Sequence, residues 1–240
     1  MNSTKVFVAA IAALAVASCG QDNSSSTTTS GGITLDPSTL ALGDVIMGDP
    51  NAPVEIIEYA SVTCGHCAEF HENVMPVIEE YVEAGQVKYI FRDFPTPPAD
   101  VAMAGFAIAR CAGEDGYYDV LDDLFENQTN IFQAIRTGTA GDALRATAAR
   151  HGLDDAEFRA CTRDRNVFNA ITSTMEAGQA RGVSSTPTIY LDGELQTGID
   201  ARTPDGMAAL IDAALGVERH RVVGYGPARP LLMLLLLLVV

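Results

Sequence analysis

The sequence predicts an α/β protein in which a block of helices interrupts two strand-bearing parts. Three observations carry that class. Two β-rich runs, residues 54–59 and 87–91, flank one amphipathic helical stretch. Alanine-rich helical periodicity then takes over, from Ala99 to about Arg181. Beyond it the β signal returns as a strand at residues 188–191, an Asp192-Gly193 turn and a return strand at 194–196.

A chain of 240 residues with 48% hydrophobic content can bury one large core or two small ones. Its 15 basic and 31 acidic residues give a net charge of −16, which repels phosphates and argues against a nucleic-acid partner.

The N-terminus reads as a targeting segment. Lys5 supplies a positive start, residues 6–17 are apolar, and small residues follow. The run is too short to span a bilayer. Its end, Val16-Ala17-Ser18-Cys19, resembles the lipobox of bacterial lipoproteins, in which the cysteine is acylated and becomes the mature N-terminus. A signal peptide over residues 1–18 and a lipidated tether over 19–41 are therefore expected. An ordinary cleaved signal peptide is the simpler alternative, and either way the protein is exported to the periplasm or cell envelope. The polar tract 21–32 has nothing to bury and serves as a spacer.

Asp44 to Pro50 reads as an extended segment closed by a turn. Residues 54–59 form the expected central strand and lead into Ser61-Val62-Thr63-Cys64-Gly65-His66-Cys67. The following helix sets Phe70, Val74, Val77, Ile78 and Tyr81 on one face, is expected to kink at Pro76, and ends at Gly85. The second strand closes at Pro95, Pro97 and Pro98. Helices are expected near 101–109, 117–126, 142–151, 155–163 and 166–180, with breaks at Gly113, Gly116, Gly138, Gly141 and Gly152. The last helix starts at Thr203 as N-cap with Pro204 in its first position and runs to 215–216. Residues 218–240 form an extension whose apolar tail, 231–240, would reach only about 15 Å as a helix and cannot cross a membrane.

The chemistry concentrates at Cys64 and Cys67. Two cysteines two residues apart at a strand-to-helix junction mark a dithiol redox centre. The free N–H groups and positive dipole end of the helix favour the Cys64 thiolate, and His66 is expected to add positive charge or a hydrogen bond. Cys67, one turn on, is expected to be buried as the resolving thiol. Half of a zinc site is the competing reading, with His71 as the nearby further ligand; zinc needs two more ligands at a workable spacing. No metal is expected.

This element order, with Cys64-Gly65-His66-Cys67 opening the first helix and Thr186-Pro187-Thr188 before the hairpin, resembles the DsbA-like thiol:disulfide oxidoreductases over roughly residues 42–217. The resemblance implies a thioredoxin fold, residues 42–96 and 182–217, with an inserted all-helical domain, 97–181. It implies Cys64 as nucleophile, Cys67 as resolving cysteine, and Pro187 as a cis-proline facing the disulfide. The backbone of Thr186 would then bind an extended substrate. Glu58, six residues before Cys64, matches a buried acid that exchanges a proton with Cys67. With Cys19 lipidated, Cys111 and Cys161 remain, and the count favours their pairing over two separate buried thiols.

The implied function is disulfide formation in reduced, unfolded exported proteins, by a monomer that needs no cofactor and is re-oxidised by a membrane redox partner. The Gly-His dipeptide departs from the Pro-His of the best-known oxidants and leaves open a reductase, for instance in cytochrome c maturation. A metal-binding lipoprotein using Cys64, Cys67 and His71 is the reading from another class. An isomerase of the DsbC kind carries a dimerisation domain ahead of the fold, for which the roughly twenty residues between Gly32 and Val54 leave no room.

Overall fold

The computed structural model describes residues 43–217. The expectations for the signal segment, Cys19, the tether and the apolar tail fall outside the described residues.

The sheet follows from where the β-branched and aromatic residues cluster. β1 (Ile46–Met47), β2 (Val54–Ala60) and β3 (Val87–Asp93) precede the helices; β4 (Thr188–Leu191) and β5 (Glu194–Gln196) follow them. The strand order is β1-β3-β2-β4-β5. β2 lies centrally, parallel to β3 and antiparallel to β4. A parallel pair needs a crossover, and α1 (Gly65–Asn73) with α2 (Met75–Glu83) supplies it. The β4–β5 turn carries Asp192 at φ 47° and Gly193 at φ 82°, the two positive values that a tight hairpin requires. Asp192 also accepts from the Glu55 N–H at 2.8 Å and so ties the turn to β2.

Between β3 and β4 lie α3 (Ala99–Cys111), α4 (Gly113–Glu126), α5 (Gln128–Thr137), α6 (Ala140–Arg150), α7 (Asp155–Cys161) and α8 (Arg165–Ala180). α9 (Pro204–Ala214) closes the described chain. The architecture is thus a thioredoxin fold with a helical insertion. Caps set several boundaries: Asp154 and Glu157 form a capping box on α7, Asp164 caps α8, and Thr203 accepts from Gly206 at the start of α9.

Both sheet faces are covered, so β2 is buried along nearly its whole length. Ile56, Ala60, Tyr89, Phe91 and Ile189 join Phe70, Ile78, Met207 and Ile211 in the larger core, which continues into the insertion through Phe106, Leu121 and Leu124. Ile57, Tyr59, Ile90 and Tyr190 face the other way, with Phe94 and Val183. α8 closes that side. A Cβ on its Gly178 would stand 2.7 Å from the Tyr59 ring, so only glycine permits the approach.

Three expectations need correction. The single helix kinked at Pro76 is two helices: α1 ends at Asn73, and Pro76 sits in the first turn of α2, where a missing N–H breaks no intrahelical bond. Gly116 and Gly141 do not break helices but lie inside α4 and α6. A glycine costs a helix about 1 kcal/mol relative to alanine, which packing of the other turns outweighs. Lastly, α5 was not among the expected helices.

Candidate active site

The loop between β2 and α1 is held by its own small polar side chains. Ser61 Oγ accepts from the backbone N–H of Thr63 at 3.3 Å and of Thr96 at 3.1 Å. Thr63 Oγ1 donates to the Thr96 carbonyl at 2.8 Å. From the insertion, buried Gln128 donates through Nε2 to the carbonyls of Val62 and Cys64, at 2.9 and 3.0 Å. Gln128 opens the unexpected α5, and its partners lie more than sixty residues earlier, so no local pattern announces it.

Cys64 is the N-cap of α1 and half-buried; Cys67 is fully buried; both carry free thiols. The hydrogen bond from Cys67 is the largest influence on Cys64. Burial opposes it, and the Thr186 side chain and the backbone N–H groups of Cys67 and His66 reinforce it, bringing the thiol from an ordinary 9.0 down to about 5. Burial pushes the Cys67 thiol far the other way, helped by Cys64 and by the charge of Glu58. The Ser61 N–H, 3.5 Å from Cys67 Sγ, opposes that rise. At neutral pH the outer sulfur is a thiolate and the inner one a thiol.

The His66 side chain is 80% exposed, with Nδ1 3.6 Å from Glu69 Oε2. What reaches Cys64 is its backbone N–H, a donor that any residue there other than proline would supply.

Thr186-Pro187 is a cis peptide. The Thr186 carbonyl oxygen lies 3.5 Å from Cys64 Sγ, with the thiol as donor, and Arg202 donates to the Pro187 carbonyl at 3.2 Å. A groove of about 490 Å³ runs alongside, lined by His66, Phe70, Pro187, Ile199 and Arg202 among others.

Glu58 is 0% exposed, and Tyr89 donates its hydroxyl to Oε2 at 2.5 Å. His71 places Nε2 3.2 Å from the same oxygen. His71 therefore belongs to the buried acid. Among the described residues no three His, Cys, Asp or Glu side chains form a metal-holding group. Cys111 and Cys161 are joined by a disulfide between α3 and α7, with Cα atoms 6.2 Å apart.

Comparison with known proteins agrees with this geometry. The thioredoxin family model matches residues 41–213, more than half of the chain. A Rickettsia bellii protein named "Putative protein-disulfide oxidoreductase" is 22% identical over 181 residues, 75% of this chain and 67% of its own length. For a Rickettsia conorii relative the share of its length is 62%. Disulfide bond formation protein D of Bacillus subtilis is 23% identical over 163 residues, 64% of this chain and 69% of that one. The crystal structure of Wolbachia pipientis alpha-DsbA1 superposes with a TM-score of 0.63 at 26% identity, covering 72% of this chain and 91% of its own. The chain belongs to the thioredoxin family, as a DsbA-like thiol:disulfide oxidoreductase.

Proposed function

We propose that this enzyme oxidises dithiols in exported proteins, passing on the Cys64–Cys67 disulfide. One observation carries the direction: Cys64 is held as a thiolate, at about 5, by donors that have no charge to stabilise once the disulfide forms. That stabilisation belongs to the reduced enzyme alone, so the oxidised enzyme gives up its disulfide readily. A substrate thiolate attacks Cys64 Sγ, the Cys64–Cys67 bond breaks, and Cys67 leaves with the electron pair. A second substrate thiolate then attacks the mixed disulfide and releases Cys64. Glu58 exchanges the proton that Cys67 takes up and later gives back, and Thr186 beside Pro187 offers its backbone to an extended substrate.

We take the substrates to be reduced, unfolded exported proteins and the re-oxidant to be a membrane redox partner; the relatives' names support disulfide formation itself. None of the described helices is long and apolar enough to cross a membrane. We place attachment at acylated Cys19, supported by the sequence Val16-Ala17-Ser18-Cys19 behind an apolar run; intact mass of the mature protein checks it.

The deciding experiment is the reduction potential of Cys64–Cys67, with disulfide transfer to a reduced, unfolded test protein. A potential more oxidising than the glutathione couple, with efficient transfer, is expected. A strongly reducing potential reverses the direction and makes the protein a reductase.

A further inference from the structure

His71 is a buried histidine with no task in the exchange between substrate, Cys64 and Cys67. It lies on α1 one turn after Cys67, with its side chain 5% exposed. The ring stacks on Phe125 at 4.0 Å between centroids and meets the edge of Phe91. Its nitrogens face opposite ways: Nε2 is 3.2 Å from Glu58 Oε2, and Nδ1 is 3.8 Å from Asp122 Oδ1. Neither nitrogen makes a well-formed hydrogen bond, and Glu58 Oε1 has none either. Polar atoms left in that condition in a core are costly and call for an explanation.

The order of groups supplies one. Glu58 stands close enough to Cys67 for its charge to raise that thiol. Asp122 is 45% exposed and, with Glu72, Glu79 and Glu126, lines a groove of about 730 Å³ that also borders His71. From the interior to the surface the sequence of groups is Cys67, Glu58, His71, Asp122.

We propose that His71 is the proton store of the exchange reaction, supplying through Glu58 the proton that Cys67 takes up when the disulfide breaks and recovering it when the disulfide re-forms. The groove beside Asp122 is where the ring equilibrates with solvent. This rests on the reading of Glu58 given above. When a substrate thiolate bonds to Cys64, Cys67 leaves as a thiolate with the electron pair of the broken bond. A proton then moves from His71 Nε2 to Glu58 and from Glu58 to Cys67 Sγ. The imidazolium becomes neutral, Cys67 becomes a thiol, and the negative charge rests on Glu58, which keeps the Tyr89 hydroxyl as donor until His71 regains a proton from solvent.

The surroundings keep the store filled. Burial alone would lower His71, but the charges of Glu58 from β2 and Asp122 from α4 outweigh it and raise the ring to about 9. Tyr89 from β3, held well above its ordinary 10.0, remains a donor to Glu58. Glu79 from α2 is raised by burial and by Asp122, with His71 pulling it back down. Glu72 on α1 and Glu126 on α4 complete the acidic rim.

The test is single-turnover reduction of the oxidised full chain by dithiothreitol, with the rate corrected for reagent thiolate, between about pH 6 and 10. The parent rate should fall as pH rises through about 9, where the imidazolium empties. His71→Asn should lose that limb and react about tenfold or more slowly at neutral pH. Asp122→Asn should move the limb to lower pH, and its partly exposed side chain makes folding secure if His71→Asn fails to fold. His71→Ala should be rescued by imidazoles to a degree that follows their pKa. A folded His71→Asn with the parent profile, an unmoved limb in Asp122→Asn, or rescue that follows ring size alone overturns the store. Glu58→Gln separates the two readings: slowed Glu58→Gln with unaffected His71 variants defeats only the store, whereas unaffected Glu58→Gln defeats the carboxyl relay itself.

Discussion

Two cysteine pairs lie among the described residues, and they differ most at the outer sulfur, Cys64. Cys64 is half-exposed at a helix start with hydrogen-bond donors around it, and Cys67 behind it is buried beside a carboxyl. Cys111 and Cys161 are both buried in the larger core, alongside Ile108 and Phe158, fifty residues apart in sequence. Donors and partial exposure make the first pair a reagent. An apolar setting makes the second a clamp between α3 and α7. The difference teaches that the sulfur's neighbours, and not the cysteines themselves, decide whether a pair turns over.

The same contrast separates two buried carboxylates on adjacent strands. Asp93 at the end of β3 faces Arg110 from α3 at 2.5 Å and accepts from Tyr117 of α4 at 3.0 Å, so it binds the insertion to the sheet. Burial raises Asp93, and Arg110 opposes that rise. Glu58 has for partners a tyrosine and a histidine, and one of its oxygens is left without a donor. A fixed cation makes the first acid structural. A partner that can itself give up a proton leaves the second free to act.

The largest expected effect breaks the reactive pair: Cys64→Ser abolishes disulfide transfer while the protein still folds. Next in size, replacing both Cys111 and Cys161 by alanine should cost about 4 kcal/mol on the chain-entropy estimate for a fifty-residue loop. Denaturant titration measures it, and transfer per folded molecule should stay at the parent level. A collapse in transfer with the fold intact would show that the clamp reaches the active site. For the acids, Asp93→Asn should destabilise by roughly 3–5 kcal/mol, since it removes the charge facing buried Arg110, and should leave the pH–rate profile alone. Glu58→Gln should do the reverse, with a rate about tenfold or more lower near neutral pH and the fold retained. Matching profiles for the two variants would erase the distinction.

The pH dependence of stability sharpens the comparison further. A thiol brought down to about 5 in the folded, reduced protein stabilises it increasingly as pH rises above about 5, up to the ordinary thiol value. That contribution is complete above about pH 9 and is lost as pH falls through about 5. Cys67, raised by burial, stays neutral over this range. The oxidised protein has no such titration. Reduced protein should therefore melt above oxidised protein at pH 7, and the gap should close between pH 7 and 5. A constant gap would mean that Cys64 is not the titrating group. Cys111 and Cys161, disulfide-bonded, contribute nothing to it.

What could be read from the sequence was local. The β-branched runs of β2 and β3, the Asp192-Gly193 turn, the Thr203-Pro204 helix start and the Cys64–Cys67 spacing all express their structure within a few residues. What could not be read depends on distant partners. Gln128 matters because it reaches carbonyls of the Cys64 loop, and His71 because α1 packs it against a strand residue thirteen positions earlier. Glu58 was placed by resemblance. Its strand alone could not say which face is buried, because both are.

The smallest expected effect concerns His66, to which the sequence assigns an added charge or hydrogen bond at Cys64. Between two reactive cysteines an imidazole suggests a counter-charge. Its side chain is instead largely exposed, with Nδ1 3.6 Å from Glu69 Oε2. The part of His66 that acts on Cys64 is its backbone N–H, the least of the donors there, and His66→Ala retains it. Thiolate absorbance titration of that variant should therefore place Cys64 nearer 5 than 9, with transfer changed only a few-fold. The Thr186 side chain sets the scale, because Thr186→Val removes an interaction that lowers Cys64 directly and should raise it further than His66→Ala does. If His66→Ala instead returns Cys64 close to its ordinary value, the ring turns inward in solution and the imidazole supplies the charge after all.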